Sequence, residues 1–336
     1  DITDKSHLAR SCRGLNTLFQ EPLSITKLAH FIILKPSEIE VKKILDRAPS
    51  LVLAKNKEII NNSDQSIINS TPLQLAYGEG DDAMCLVMQP YLNQTCGSKA
   101  AGEAERDRQL KEKFAEESNK KTEENERREK SRLAALLTPI IQAITNEQFN
   151  LGRDANGKWI LNDATKIAIE TFRKTFAASQ PKIIDKGMHF RLETLQEVYE
   201  AYAEAVRQWN YNPKKCALTE DGVVSFVLRY VPANDAQRFS QGLFFLQDRK
   251  DEFTRTNTTR GHNFYRVLRG DSVDFGFDGF YPDIIFGGNA VGFRRTARAG
   301  MIHLQNLCRA KTTSLQNLCD KYTTEGVSVC NLLMSS

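Results

Sequence analysis

Residues Ser70 to Leu92 read STPLQLAYGEGDDAMCLVMQPYL, and no other stretch constrains the fold as much. Thr71 and Pro72 suit the start of a short helix. A Thr hydroxyl can cap the first turn, and Pro lacks only an N–H that would have no partner there. Leu73 and Ala76 share the face turned toward the next helix. Gly80 turns the chain, and Asp81 or Asp82 suits the cap of a second helix carrying Leu86, Val87 and Met88. Such a helix pair buries its apolar face only against neighbouring units.

Thr71-Pro72-Leu73-Gln74-Leu75-Ala76 matches the ankyrin signature T-P-L-H-x-A, with Gln74 at the His position. The preceding EIEVKKILDRAPSLVL, Glu38 to Leu53, has the shape of a second helix from an earlier repeat. A polar insert, Lys55 to Asn69, separates the two, with Asn61-Asn62 and Ser63-Asp64 as turn signals. Two degenerate repeats do not bury a continuous core, since three or more are needed. A cap is therefore expected from the N-terminal helices or the C-terminal domain. Ankyrin-type units bind through inner helices and loop tips, so Gln74, Tyr77 and Glu79 are expected as exposed partner contacts.

The remainder reads as mainly α. Apolar residues from Ile2 to Phe19 recur at helical spacing, and Ser37 with Glu40 forms a capping box for a helix to Arg47. Residues 100–132 hold ten acidic and ten basic residues, with acid-before-base pairs such as Glu116–Lys120 and Glu123–Arg127. Leu110 and Phe114 are nearly the only apolar positions, and no coiled-coil stripe is present. This stretch is expected to be a solvated connecting helix. Helices are expected at 133–147, 163–178, 190–210, 219–230 and 234–247, with a turn at GRDANG, 152–157. Residues 252–297 interleave glycine with aromatic side chains and read as an irregular segment. Leu304-Gln-Asn-Leu-Cys308 recurs eleven residues later at Leu315–Cys319, which keeps both copies on one helix face. The expected organisation is a repeat module over 1–98, a charged connecting helix over 99–132 and a helical domain over 133–336.

The net charge of +4, from 46 basic and 42 acidic residues, is too balanced to point to nucleic acid. No apolar run approaches the ~20 residues of a membrane helix, so no membrane insertion is expected. Asp1 opens inside a helical pattern without a signal-peptide profile, as a fragment would. Seven cysteines without a C-x-x-C pair suggest reduced thiols in a cytosolic setting, and neither a disulfide framework nor a zinc site.

Strong catalytic signatures are missing. GGNAVGFRR, Gly287 to Arg295, lacks the ending of a P-loop, and no zinc-protease or nucleophile-elbow motif occurs. No cofactor and no metal is expected. Two weaker candidates remain. Cys216 follows Lys214 and Lys215 and precedes a helix expected from Thr219, a setting that can activate a thiol with His189, His262 or His303 as base. The competing reading is a structural cysteine. Arg294, Arg295 and Arg298 follow a diglycine turn and suit an anion-binding site roofed by Phe280 and Tyr281. Salt bridges to Asp271, Asp274, Asp278 and Asp283 are the competing reading.

Several blocks together resemble secreted effectors of Legionella-type intracellular bacteria. SHLARSCRGLNTLF, Ser6 to Phe19, looks like the second half of an F-box, with Cys12-Arg13 as its Cys-Arg pair. VKKILDRAPSLVLAK and TPLQLAYGEGDDAMCLVM look like the repeat pair, and LQNLCRAKTTSLQNLC like the group's tail motif. The resemblance implies delivery by a type IV system and action in the host cytosol by binding host proteins. Its finer form is a ubiquitin-ligase substrate receptor that docks a Skp-type adaptor through the N-terminal helix. The alternative is an enzyme of unknown reaction, with its site in the 261–298 loop or at Cys216.

Overall fold

The computed structural model describes residues 24–120, 123–147, 152–153, 155, 159–210, 212–240, 304–311 and 313–315. Within them the protein is mainly helical, as the pattern predicts. The F-box-like block, the glycine-aromatic segment with Arg294, Arg295 and Arg298, and the second copy of the tail motif beyond Leu315 lie outside the described residues.

Helix α1 covers residues 24–33. Helix α2 (Glu38–Arg47) starts where the Ser37 hydroxyl accepts the Glu40 N–H, and a 3-10 turn follows at Pro49–Leu53. The expected polar insert is a β-hairpin, with β1 (Asn56–Ile60) antiparallel to β2 (Ser66–Ser70). The Asn61 carboxamide oxygen builds the turn by accepting the N–H groups of Ser63 and Gln65. Gln74, at the signature's His position, completes a capping box for α3 (Pro72–Gly78). Its N–H donates to Thr71 Oγ1, and its own Oε1 accepts the Thr71 N–H at 2.9 Å. Asp81 caps α4 (Asp82–Thr95).

The charged stretch departs from expectation. It forms two helices, α5 (Lys99–Lys120) and α6 (Glu123–Asn146), and the first is not a solvated connector. Positions 102, 106, 109, 110, 113 and 114 of α5 are all buried, a continuous stripe at helical spacing. The stripe packs on α3 and α4 and seals this helix pair, so α5 belongs to its core. Thr71 Oγ1 donates to Gln109 Oε1 at 2.5 Å, and Gln74 Nε2 donates to the Gln109 carbonyl at 2.8 Å. Tyr77 and Phe114 meet with ring centroids 4.7 Å apart. Gly102 lets the helices approach: a Cβ there would stand 2.6 Å from the Asn93 main chain.

The rest of the described chain is a helical unit. Helix α6 enters it through Leu133, Leu137, Ile140 and Ile144. A short β3–β4 pair joins residues 152–153 to Trp159–Ile160. Helix α7 (Asp163–Ser179), capped by Asn162, brings Ile169, Phe172 and Phe176 to the core. Helix α8 (Leu192–Gln208) brings Tyr199, Tyr202 and Val206. Next come α9 (Pro213–Thr219), a π-helical turn (Glu220–Val224), α10 (Ser225–Leu228), α11 (Ala233–Ser240) and α12 (residues 304–311).

The two cores do not respect the expected boundaries. The N-terminal core takes Leu110 and Phe114 from α5, Ile184 from β5 (Ile183–Ile184) and Leu315 from the tail. Leu304 and Cys308 pack in the helical core. The two leucines that open the eleven-residue echo therefore enter different cores. Between them Lys311 reaches the Asp235 carboxylate and donates to the Glu79 carbonyl at 3.2 Å. Strand β5 extends the hairpin in parallel, giving the order β1-β2-β5, and Ser63 at the hairpin tip donates to the Arg229 carbonyl.

Candidate functional site

Each strand of this sheet carries an Ile-Ile doublet: Ile59-Ile60, Ile67-Ile68 and Ile183-Ile184. Successive side chains on a strand point to opposite faces. One isoleucine of each doublet therefore turns inward, and Ile59, Ile67 and Ile184 are buried in the N-terminal core. The others turn outward. Ile60 pairs with Ser66, which pairs with Ile183, so these three form one row across the sheet. Strands lie about 4.8 Å apart, which puts the two isoleucines about 10 Å from each other across Ser66. Ile60 is 55% exposed and Ile183 is 62% exposed. Ile68, half-buried, stands in the next row beside Glu58.

Polar groups border this apolar centre. Ser66 Oγ donates to Glu58 Oε1 at 2.6 Å. Lys57, Lys182 and Lys186 are exposed on the strands or beside them. Lys113, buried on α5, ties β2 to the end of β5 by donating to the carbonyls of Ile68 and Asp185 and to the Asp185 carboxylate at 2.7 Å. That hydrogen bond holds the Asp185 carboxyl below its usual range, while partial desolvation opposes it. The sheet is thus fixed from beneath and apolar above. Among the described residues, the other large exposed apolar side chains, Ile39, Leu53, Leu86, Ile160 and Ile167, each sit on a different element. An outward apolar row breaks the inside-outside pattern of a half-buried sheet and suits contact with another protein.

The residues expected to make that contact are elsewhere. Gln74, Tyr77 and Glu79 are not exposed tips: they are 1%, 4% and 3% exposed. Helix α5 covers Gln74 and Tyr77. Glu79 Oε1 lies 2.7 Å from His189 Nδ1, and the His189 ring sits over Gly78, where a Cβ would come within 2.3 Å of Nε2.

Cys216 is a second correction. The helix begins at Pro213, earlier than expected, and Asn212 caps it, so Cys216 lies inside α9. Its thiol is fully buried, and burial first, then the nearby Glu220 carboxylate, pushes its pKa up to about 12. Lys215 donates to the Thr145 carbonyl. Tyr202 donates to Glu220 beside the thiol. A neutral, inaccessible thiol is no nucleophile. His262 and His303, like Arg294, Arg295 and Arg298, lie outside the described residues.

Among the described residues, no three metal-type side chains gather, and no helix is long and apolar enough to cross a membrane. The chain matches no protein-family model, no curated protein and no solved structure. Its site is therefore read from its own geometry. The isoleucine face escaped the sequence reading because residues 55–69 read as polar insert, although the doublets themselves were a visible signal.

Proposed function

We propose that this chain is a bacterial effector that binds a host protein in the host cytosol, through the isoleucine face of its three-stranded sheet. The observation that carries this reading is the row Ile60–Ser66–Ile183, open to solvent on a sheet whose inner face is complete. Fully burying an isoleucine is favourable by about 1.5–3 kcal/mol, and roughly half of that remains available at each of these two side chains. An apolar centre of this size needs a polar rim to reach useful affinity, and Glu58, on the same face as Ile60, supplies part of one. The effector assignment itself rests on the resemblance of the short sequence blocks.

In the finer form of the proposal, the chain is a substrate receptor for a ubiquitin ligase. The N-terminal block with Cys12-Arg13 would hold a Skp-type adaptor, and the sheet would hold the substrate. Delivery would be by a type IV system. Affinity capture from host cytosol tests both levels. Capture of a saturable partner by the wild-type chain, and its loss with Ile60→Asp plus Ile183→Asp, supports the sheet. Adaptor and cullin captured by both forms supports the receptor role. Equal capture of every partner by both forms removes the sheet from the proposal.

A further inference from the structure

The pairing of the sheet fixes which main-chain groups of β1 face outward. At the hairpin turn the Asn61 N–H donates to the Gln65 carbonyl at 3.0 Å. On the other side of β2 the Ser66 N–H donates to the Lys182 carbonyl at 2.9 Å. Main-chain groups of successive strand residues point to alternate sides, just as side chains point to alternate faces. Ser66 therefore bonds β5, and Ile67 bonds its partner Ile59 on β1. The N–H and carbonyl groups of Glu58 and Ile60 then point away from β2. Among the described residues, no element other than β2 packs along β1. Lys57, Glu58 and Ile60 are all exposed. The Asn56 side chain donates to the Glu58 carbonyl at 2.9 Å, which leaves that oxygen a second lone pair.

Outward groups at this spacing specify their occupant. An N–H and a carbonyl on every second residue are the repeat of a β ladder, and an extended segment meets both positions at once. Side chains narrow the choice. Glu58 and Ile60 stand two positions apart on the same face. Residues directly opposed on neighbouring strands interact, so opposite charges attract there and like charges repel. Twofold pairing with a second copy sets Glu58 against its own counterpart, against Ile60, or beyond the strand end. None of these gives the carboxylate a counter-charge.

We propose that the edge of β1 takes up an extended segment of the partner protein as an added strand, with a lysine or arginine opposite Glu58 and an apolar residue opposite Ile60. This rests on the reading of the sheet as the partner-binding site, and it adds the form of the partner. Main-chain bonds to Glu58 and Ile60 fix the register of the segment. Its apolar residue extends the row Ile183–Ser66–Ile60 by one strand.

Proline separates main-chain pairing from side-chain contact. At an outward position of an edge strand, Pro loses no ladder bond of the fold, but it removes the donor and puts a ring in the path of the added strand. The partner that the immobilised whole chain retains from host cytosol is identified by mass spectrometry, purified and titrated calorimetrically. Glu58→Pro is expected to bind it about tenfold more weakly than the wild type, or worse. Glu58→Ala keeps the N–H and should lose less than Glu58→Pro. Glu58→Lys also keeps the N–H but reverses the charge, so it should lose more than Glu58→Ala. Circular dichroism checks the fold of Glu58→Pro, and the order of the other two decides the matter should that variant not fold. Undiminished binding by folded Glu58→Pro, or equal binding by Glu58→Lys and Glu58→Ala, overturns the added strand. The isoleucine face still stands in that case if Ile60→Asp with Ile183→Asp abolishes binding. No retained partner, or full binding by the double isoleucine variant, removes the sheet reading and this proposal with it. A wild-type dimer in sedimentation that Glu58→Pro turns into monomer assigns the edge to a second copy and overturns the proposal.

Discussion

The Gln74 side-chain amide donates to the main-chain carbonyl of Gln109 across 2.8 Å, a buried bond between α3 and the charged helix α5. Thr71 supports it from both sides, capping α3 and donating to Gln109 Oε1. Thr71→Ala removes the cap and leaves buried Gln109 without that donor. The expected loss is about 1–3 kcal/mol, read from the urea midpoint. A loss below about 0.5 kcal/mol, the range of an ordinary surface change, contradicts the sealing role of α5.

Helix α5 also crosses α4 unusually closely. Replacing Gly by Ala inside a helix normally stabilises it by up to about 1 kcal/mol. At Gly102 the added Cβ meets main-chain atoms of Asn93, which cannot rotate away. Gly102→Ala is therefore expected to destabilise by about 1–3 kcal/mol in denaturant unfolding. Stabilisation by the same change contradicts the close crossing.

Burial of Cys216 and Cys308 makes a statement about reactivity. Both thiols are pushed up to about 12, chiefly by desolvation. In the native protein at pH 8 they are expected to resist iodoacetamide while half-exposed Cys96 reacts. Denaturant should release both. Mass spectrometry reads the sites directly. Fast labelling of native Cys216 restores it as a candidate nucleophile.

Lys311 bridges the two cores by pairing with Asp235, whose side chain is 1% exposed. Lys311→Met leaves that carboxylate buried without its cation and is expected to cost about 3–5 kcal/mol. Adding Asp235→Leu should restore much of the stability, because an apolar pair needs no desolvation of charge. A loss under about 1 kcal/mol for Lys311→Met means that the tail helix does not fasten the cores through this pair.

Much of the helical architecture was legible because local signals and burial agree there. Ser37 caps its helix where the sequence places it, and Ile169, Phe172 and Phe176 keep an apolar face at helical spacing within the expected helix. The failures share one cause: polar residues in buried positions. Arg106, Gln109 and Lys113 fill three places of the α5 stripe, so its periodicity disappears when only apolar residues are counted. Gln74 and Glu79 look like surface residues in sequence and become interior once α5 and His189 close over them. The hairpin was hidden because Asn61 builds its turn through side-chain hydrogen bonds while its strands are short. Strand β5, two residues long, is defined only by a partner more than a hundred positions away.

The most direct test of the account concerns Ile60 and Ile183. Wild-type chain and an Ile60→Asp, Ile183→Asp form are immobilised and exposed to host cytosol, with circular dichroism confirming that both are folded. Both positions are solvent-facing, so the fold should survive the change. The account predicts a saturable partner on the wild type that the double variant no longer holds. The same partner retained by the folded variant, or none on the wild type, contradicts it.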